Sequence, residues 1–280
     1  MIINLMVLVH VLLISFYFNY SASFPFEYVV NCILGGPTAA PVFMFCMGIG
    51  IVYSRRSQPE IMIKRGISLM ILGLLVNIFE FILPHFVSGF LLHDSSMFGI
   101  YGGLILFYVD ILGFAGLSFI LFGLFKKYNL TDKQILTIAI IMSVIGSFVR
   151  YIDFNNHILN IIFGYLIGTT DTFTAFPLLN WFIFPIAGYV YGQYFIRSKD
   201  KSALFKFWSI FILIGMIYFI ITSIIPGGYL TAEDTYYFLN ITAALITVVY
   251  IHGYLGFCYY ISKKLPEVLI NVFTTLSKNI

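Results

Sequence analysis

The sequence predicts an all-α, polytopic transmembrane helix bundle, and three observations carry that prediction. The first is composition: 60% of the 280 residues are hydrophobic and 10% are charged, against about 25% charged in an ordinary soluble domain. The mean hydropathy is +0.98. The second is run length. Several apolar stretches reach the ~20 residues a helix needs to cross a bilayer core, and they are continuous rather than alternating, which favours helices over a barrel wall. The third is charge placement. Thirteen of the fifteen Lys and Arg residues fall in four short gaps: Arg55, Arg56, Lys64 and Arg65; Lys126, Lys127 and Lys133; Arg197, Lys199, Lys201 and Lys206; and Lys263 with Lys264. Basic gaps after every second span are the pattern of the positive-inside rule.

The spans follow in order. Residues 1–19 read as the first helix. A polar, aromatic connection with Glu27 and Asn31 leads to the second, 37–54, which ends on Arg55-Arg56. The third covers 61–83 and stops at a loop with Pro84, His85, His93 and Asp94. The fourth covers 98–125 and places Asp110 inside it, and the fifth covers 134–151. A polar break, Asp153 to His157, precedes 158–167, a run too short to span that reads as re-entrant or interfacial. The sixth, 173–196, carries Pro177 and Pro185, which bend membrane helices and free carbonyls. The seventh is 204–225 and the eighth 236–261. Residues 265–280 are ambiguous, so the count is about eight to ten helices in one domain, 1–280.

Placing the basic gaps inside makes the N-terminus cytoplasmic and the protein a multi-pass component of the cell membrane. Arg150 and Lys278 are the basic residues outside the gaps. All five His residues then lie within helices or on the outer side, concentrating proton-transfer groups away from the basic loops. The net charge of +3 is the sum of those loops and implies no nucleic-acid partner. Cys32, Cys46 and Cys258 are scattered without metal-ligand spacing, so no metal site is expected. No GxxxxGK[ST] or GxGxxG phosphate loop is present. The first run lacks a basic residue before it and reads as a membrane helix, although Ser21-Ala22-Ser23 weakly resembles a processing site. Gly48 and Gly50 read as positions where helices approach closely.

Four segments together resemble a known family. They are Pro41-Val-Phe-Met-Phe-Cys-Met-Gly48-Ile-Gly with Tyr-Ser-Arg-Arg56 and Lys64-Arg65-Gly66; Asp110-Ile-Leu-Gly-Phe-Ala-Gly116; Phe176-Pro-Leu-Leu-Asn-Trp181 continuing to Gly188 and Gly192; and Leu276-Ser-Lys-Asn-Ile280. Their order and spacing resemble the catalytic domain of heparan-α-glucosaminide N-acetyltransferase and its bacterial relatives. The resemblance implies transfer of an acyl group, acetyl in the first instance, from cytosolic acyl-CoA to a sugar-type acceptor on the outer side, with a histidine at the centre. Met6-Val-Leu-Val-His10 matches the family's histidine segment, whereas the charged stretch before it is missing. Leu276–Ile280 looks like the opening of a final helix. The expectation is a family member trimmed at both ends.

Individual residues take their places in that expectation. His10, midway along the first span, is an ionisable group at membrane depth, where function is the default reading; a neutral imidazole takes a proton from the acceptor or carries the acyl group itself. Asp110 orients a histidine or makes a structural pair. Arg150 clamps a polar substrate or pairs with Asp153, three residues on. His157, Asp171 and the Asn155-Asn156 pair form an acceptor pocket or an ordinary wet loop, and Asp153 and Trp181 join the substrate side. Arg55, Arg56, Lys64 and Arg65 match the phosphates of an acyl-CoA, although topology alone explains them. His252, among tyrosines, is a proton relay or a satisfied core histidine. Two other classes fit the residues taken alone: a small-solute transporter or channel, and an inactive acyltransferase-like scaffold. Oligomeric state is not encoded in any feature of the sequence.

Overall fold

A computed structural model of the chain describes residues 39–93, 105–169, 174–224 and 239–279. The first predicted span with His10, together with Asp94, Asp171 and the 226–235 connection, lies outside those residues. The described helices are α1 (Ala40–Tyr53), α2 (Pro59–Leu92), α3 (Ile111–Lys127), α4 (Asp132–Val149), α5 (His157–Ile167), α6 (Leu178–Trp181), α7 (Ile183–Arg197), α8 (Lys201–Ser209), α9 (Phe211–Ile224), α10 (Ile241–Ser262) and α11 (Glu267–Asn279). Four stretches among them are long and apolar enough to cross a membrane: Pro59–Leu92, Asp132–Val149, Lys201–Ile221 and Ile241–Ser262. No β-strand forms among the described residues, which hold only two isolated bridges. The all-α membrane fold is therefore present as expected.

The described residues group into two compact units. The central unit comprises Ser54–Ile183 with Tyr237–Ile241, and the flanking unit takes the described parts of the remainder.

In the central unit α2 and α3 run antiparallel in close contact. A Cβ on Gly66 would lie 2.5 Å from the Gly116 carbonyl oxygen, and one on Gly116 2.7 Å from that of Gly66. Small residues let membrane helices approach to backbone contact, where dispersion replaces the hydrophobic drive that lipid removes. The same pairing brings two basic gaps together, because the Lys126 ammonium donates to the Ser57 carbonyl at 3.2 Å. α4 starts from that end with a reciprocal cap: Thr131 Oγ1 accepts from the Gln134 amide, and Gln134 Oε1 accepts from the Thr131 amide.

In the flanking unit two further basic gaps approach each other. Lys201, opening α8, sits 4.9 Å from the Phe195 ring centre, which is 5.6 Å from Phe205. Phe205 in turn stacks at 4.2 Å on Tyr259, under Lys263. Charge bunching read along the sequence is thus bunching in space within each unit.

The boundaries differ from the sequence reading in several places, among them the sixth span, which starts at Leu178 and breaks after Trp181. α2 does not stop at Leu83 but continues to Leu92. Ile78–Ile82 form a π turn, and Pro84 falls in the first turn of the α segment that follows, where its missing N–H costs little. Asp110 is not inside a helix. It is the N-cap of α3 in extended conformation, because Val109 is held in a bridge to Thr174 and accepts from the Ala175 amide at 3.0 Å. The seventh span begins earlier, at Lys201, where Asp200 Oδ1 accepts from the Ala203 amide at 2.9 Å. Finally, α11 starts at Glu267, so Leu276-Ser-Lys-Asn closes a helix instead of opening one.

The 34 residues of α2 span about 50 Å at the usual helical rise, well beyond a ~30 Å hydrocarbon core. A helix of this length is enough to bring its two ends to opposite aqueous faces. Cysteine placed at Glu60 and at His93 is expected to react with an impermeant maleimide from opposite sides of sealed vesicles. Labelling of both positions from one side would refute this placement.

Candidate functional site

Two polar constellations stand out in the central unit. The first is built around α5. Asn156 caps the helix, its side-chain oxygen accepting from the Ile158 and Leu159 amides at 3.0 and 3.1 Å. One turn on, Asn160 is wholly buried. Its amide nitrogen donates to Asp153 Oδ1 at 2.8 Å, and its oxygen accepts from the Phe154 amide at 2.9 Å. Thr169 donates to the Asn160 carbonyl at 2.9 Å, and a bridge joins Thr169 to Ile152. The segment thus closes on itself and presents Asp153 and His157 at its exposed end. Tyr151 and Asn155 adopt positive φ of 65° and 50°, a conformation that residues with a Cβ rarely take.

Asp153 is held below the usual carboxylate range, first by the Asn160 side chain, then by the Asn155 amide at 2.9 Å and by the nearby His157. A depressed carboxylate contributes stability above its unfolded value that is lost as pH falls through the folded one. The loop is therefore expected to be intact at neutral pH and to loosen only below the ordinary value of 3.8. Asn160→Ala should remove the principal cause and leave the Phe154 amide without its side-chain acceptor, at a cost of about 1–3 kcal/mol. NMR titration of Asp153 would show its midpoint rising in the variant; an unchanged midpoint would count against this account.

The second constellation is a small cleft lined by residues of α2, α3 and α5. Asn77 is buried immediately before the π turn and donates from one side-chain nitrogen to the Leu106 and Tyr108 carbonyls, both at 2.9 Å. Tyr108, Asp110, Gly113 and Tyr165 complete the wall with Met70 and Gly73. Asp110 stands at the N-terminus of α3 without making a capping bond from its side chain. Asp110 thus borders the cleft with a carboxylate that the helix end does not consume. A π turn beside such a cleft is a common companion of functional sites.

Arg55 and Arg56 are exposed in the connection before α2, and Lys64 and Arg65 are exposed on its first turns. Arg65 lies 5.3 Å from the Phe119 ring centre, a cation–π contact. Arg150 terminates α4 with its guanidinium 5.5 Å from the Tyr151 ring centre. Trp181 is fully buried and meets Phe176 edge to face at 4.9 Å.

In the flanking unit His252 is buried in an aromatic box. Its ring lies 4.5 Å from Trp208, 5.1 Å from Phe45 and 5.2 Å from Tyr191. Its Nδ1 is 2.7 Å from the Val248 carbonyl, which selects the Nδ1–H tautomer and leaves Nε2 as acceptor.

The family model for the heparan-alpha-glucosaminide N-acetyltransferase catalytic domain matches residues 1–222. The chain belongs to this family. No curated protein and no solved structure matches it. Family membership makes the chain a membrane acetyltransferase relative, in keeping with its apolar helices. His10, Asp110, Arg150, Asp153, His157, Trp181 and the Arg55–Arg65 cluster all fall within the matched residues, whereas His252 and α11 lie beyond them.

Of the residues singled out in the sequence, the structure brings Asp153 together with His157, places Arg150 just before them in the chain, and puts Asp110 at the cleft. Trp181 packs in the core of the central unit. His10 lies outside the described residues. Sequence reasoning missed Asn77, Asn160 and Tyr165. The signal for the two asparagines was present, since a buried amide within an apolar run must be hydrogen-bonded. Among the described residues no group of three or more His, Cys, Asp or Glu is placed to hold a metal ion.

Proposed function

We propose that the chain is a membrane acyltransferase that takes an acetyl group from cytosolic acetyl-CoA and delivers it to a sugar-type acceptor on the outer side. Family membership over residues 1–222 is the observation that carries this reading. In the transfer the thioester C–S bond breaks, and a C–O or C–N bond forms to the acceptor. The acceptor proton passes to His10 and then to the departing CoA thiolate. Asp110, at the cleft, is the carboxylate available to orient a histidine and to favour its protonated form. Arg150, Asp153 and His157 hold the acceptor by hydrogen bonds, and Trp181, packed edge to face on Phe176, joins the substrate side.

Arg55, Arg56, Lys64 and Arg65 receive the phosphates of CoA, which cannot enter hydrocarbon unpaired, while the uncharged pantetheine arm carries the thioester inward. The support is physical: four exposed cations at one end of α2, close to a second basic gap through Lys126 and Ser57. Arg55→Gln/Arg56→Gln is expected to raise the KM for acetyl-CoA about tenfold and to leave the KM for the acceptor unchanged, the sign of lost donor binding. The assay follows transfer of labelled acetyl to a glucosamine-containing acceptor in inverted membrane vesicles. Unchanged donor KM in the double variant would remove the cluster from the donor site. No transfer to any amino sugar or hydroxylated acceptor would sink the reading as a whole.

A further inference from the structure

The flanking unit holds an apolar pocket that the acyl-transfer reading does not use. It is lined by Ile49 and Tyr53 of α1, Tyr191 and Phe195 of α7, Phe205 of α8 and Leu255 of α10. Three observations bear on its occupant. First, the lining is aliphatic and aromatic, suited to a hydrocarbon chain. Second, the Tyr191 side chain is 8% exposed, and its hydroxyl has no hydrogen-bond partner among the described residues. A buried hydroxyl left so is costly, and a ligand acceptor would satisfy it. Third, two ammonium groups flank the aromatic edge: Lys201 at 4.9 Å over Phe195 and Lys263 at 4.2 Å over Tyr259, which is stacked on Phe205.

Depth orders these groups. Tyr191 precedes Phe195 by one helical turn, about 6 Å along α7, on the side away from Lys201. A glycerophospholipid has the same order: phosphate outermost, ester carbonyls a few ångströms deeper, acyl chain beyond. The charge balance also fits an anion. Arg197, Lys199, Lys201, Lys263 and Lys264 gather at this end against Glu267 and Asp200, the latter's carboxylate engaged in capping α8. Basic pockets between membrane helices are places where anionic headgroups bind.

We propose that this pocket holds an acyl chain of an anionic glycerophospholipid, with Lys201 and Lys263 binding its phosphate and the Tyr191 hydroxyl donating to an ester carbonyl. Among the described residues, none of those assigned to acyl transfer lines this pocket.

Native mass spectrometry tests it. The full chain in mild detergent is offered equimolar dioleoyl-phosphatidylglycerol and dioleoyl-phosphatidylcholine. The expected result is retention of phosphatidylglycerol with about tenfold preference. Lys201→Ala/Lys263→Ala should abolish the preference, and Lys201→Arg/Lys263→Arg should keep it. Tyr191→Phe, which preserves the ring packing, should weaken retention about threefold. Millimolar glycerol phosphate should leave the lipid bound, since the headgroup alone lacks the chain. Equal retention of the two lipids by the wild type would overturn the proposal, as would a preference that survives in the double alanine variant. Displacement by glycerol phosphate would do the same and mark a free-phosphate site instead.

Discussion

Replacing His10 with alanine is expected to abolish acetyl transfer while leaving abundance and membrane insertion unchanged. General acid–base groups contribute about 10²–10⁴-fold, and no water-exposed base can substitute at membrane depth. The loss should therefore be at least about a hundredfold. Asp110→Asn should reduce the rate less completely, because it removes an orienting charge and keeps the proton acceptor. The two variants also separate by parameter. His10→Ala should lower kcat with little change in the acceptor KM, as for an interaction made in the transition state. Wild-type rates in the His10 variant would rule out this histidine and shift the role to His157 or His252. An aspartate at the N-cap position normally spends its carboxylate on the helix amides, whereas Asp110 makes no such bond and borders the cleft with Tyr108 and Tyr165.

The largest stability effect should come from Gly48→Leu or Gly188→Leu. A Cβ on Gly48 would overlap the Pro185 carbonyl oxygen and lie 2.7 Å from the Tyr189 amide nitrogen, and one on Gly188 would overlap the Phe45 carbonyl oxygen. The obstructing atoms are backbone, so α1 and α7 must part instead of a side chain turning aside. The penalty should reach or exceed the upper end of the ~1–3 kcal/mol typical of overpacking. Gly50, two residues along, has nothing within 4 Å of the same hypothetical carbon. Gly50→Ala should be neutral or stabilising by up to ~1 kcal/mol through helix propensity. Thermal unfolding in detergent micelles decides the matter. Equal midpoints for the Gly48 and Gly50 variants would contradict the packing described.

That pair of glycines shows where sequence reading stops. Both were expected to mark close helix approach, and the sequence Gly48-Ile-Gly50 offers no ground for separating them. Two residues on a helix differ by about 200° in direction, so one faces the neighbouring helix and the other does not. Which one does so depends on the rotation of α1 about its axis, a tertiary quantity. Likewise, a buried asparagine can be recognised as needing partners from its apolar surroundings. Only the fold reveals that Asn160 binds Asp153 and the Phe154 amide, or that Asn77 reaches the carbonyls of Leu106 and Tyr108.

The sequence by itself determined the all-α membrane class, the basic gaps and the family, because these rest on hydropathy, charge position and residue order along the chain. Lipid forces each apolar run of sufficient length into a helix, since no water is available to satisfy its amides, so span identity is a local property. Termini and sites were not local. Pro84 read as a stop, yet a π turn absorbed it within α2. Asp110 read as intrahelical, yet a bridge from Val109 to Thr174, 65 residues along the chain, held it at a helix start. Such outcomes follow from contacts between segments distant in sequence, whose energies a single-strand pattern does not contain, and the tertiary structure alone decided them.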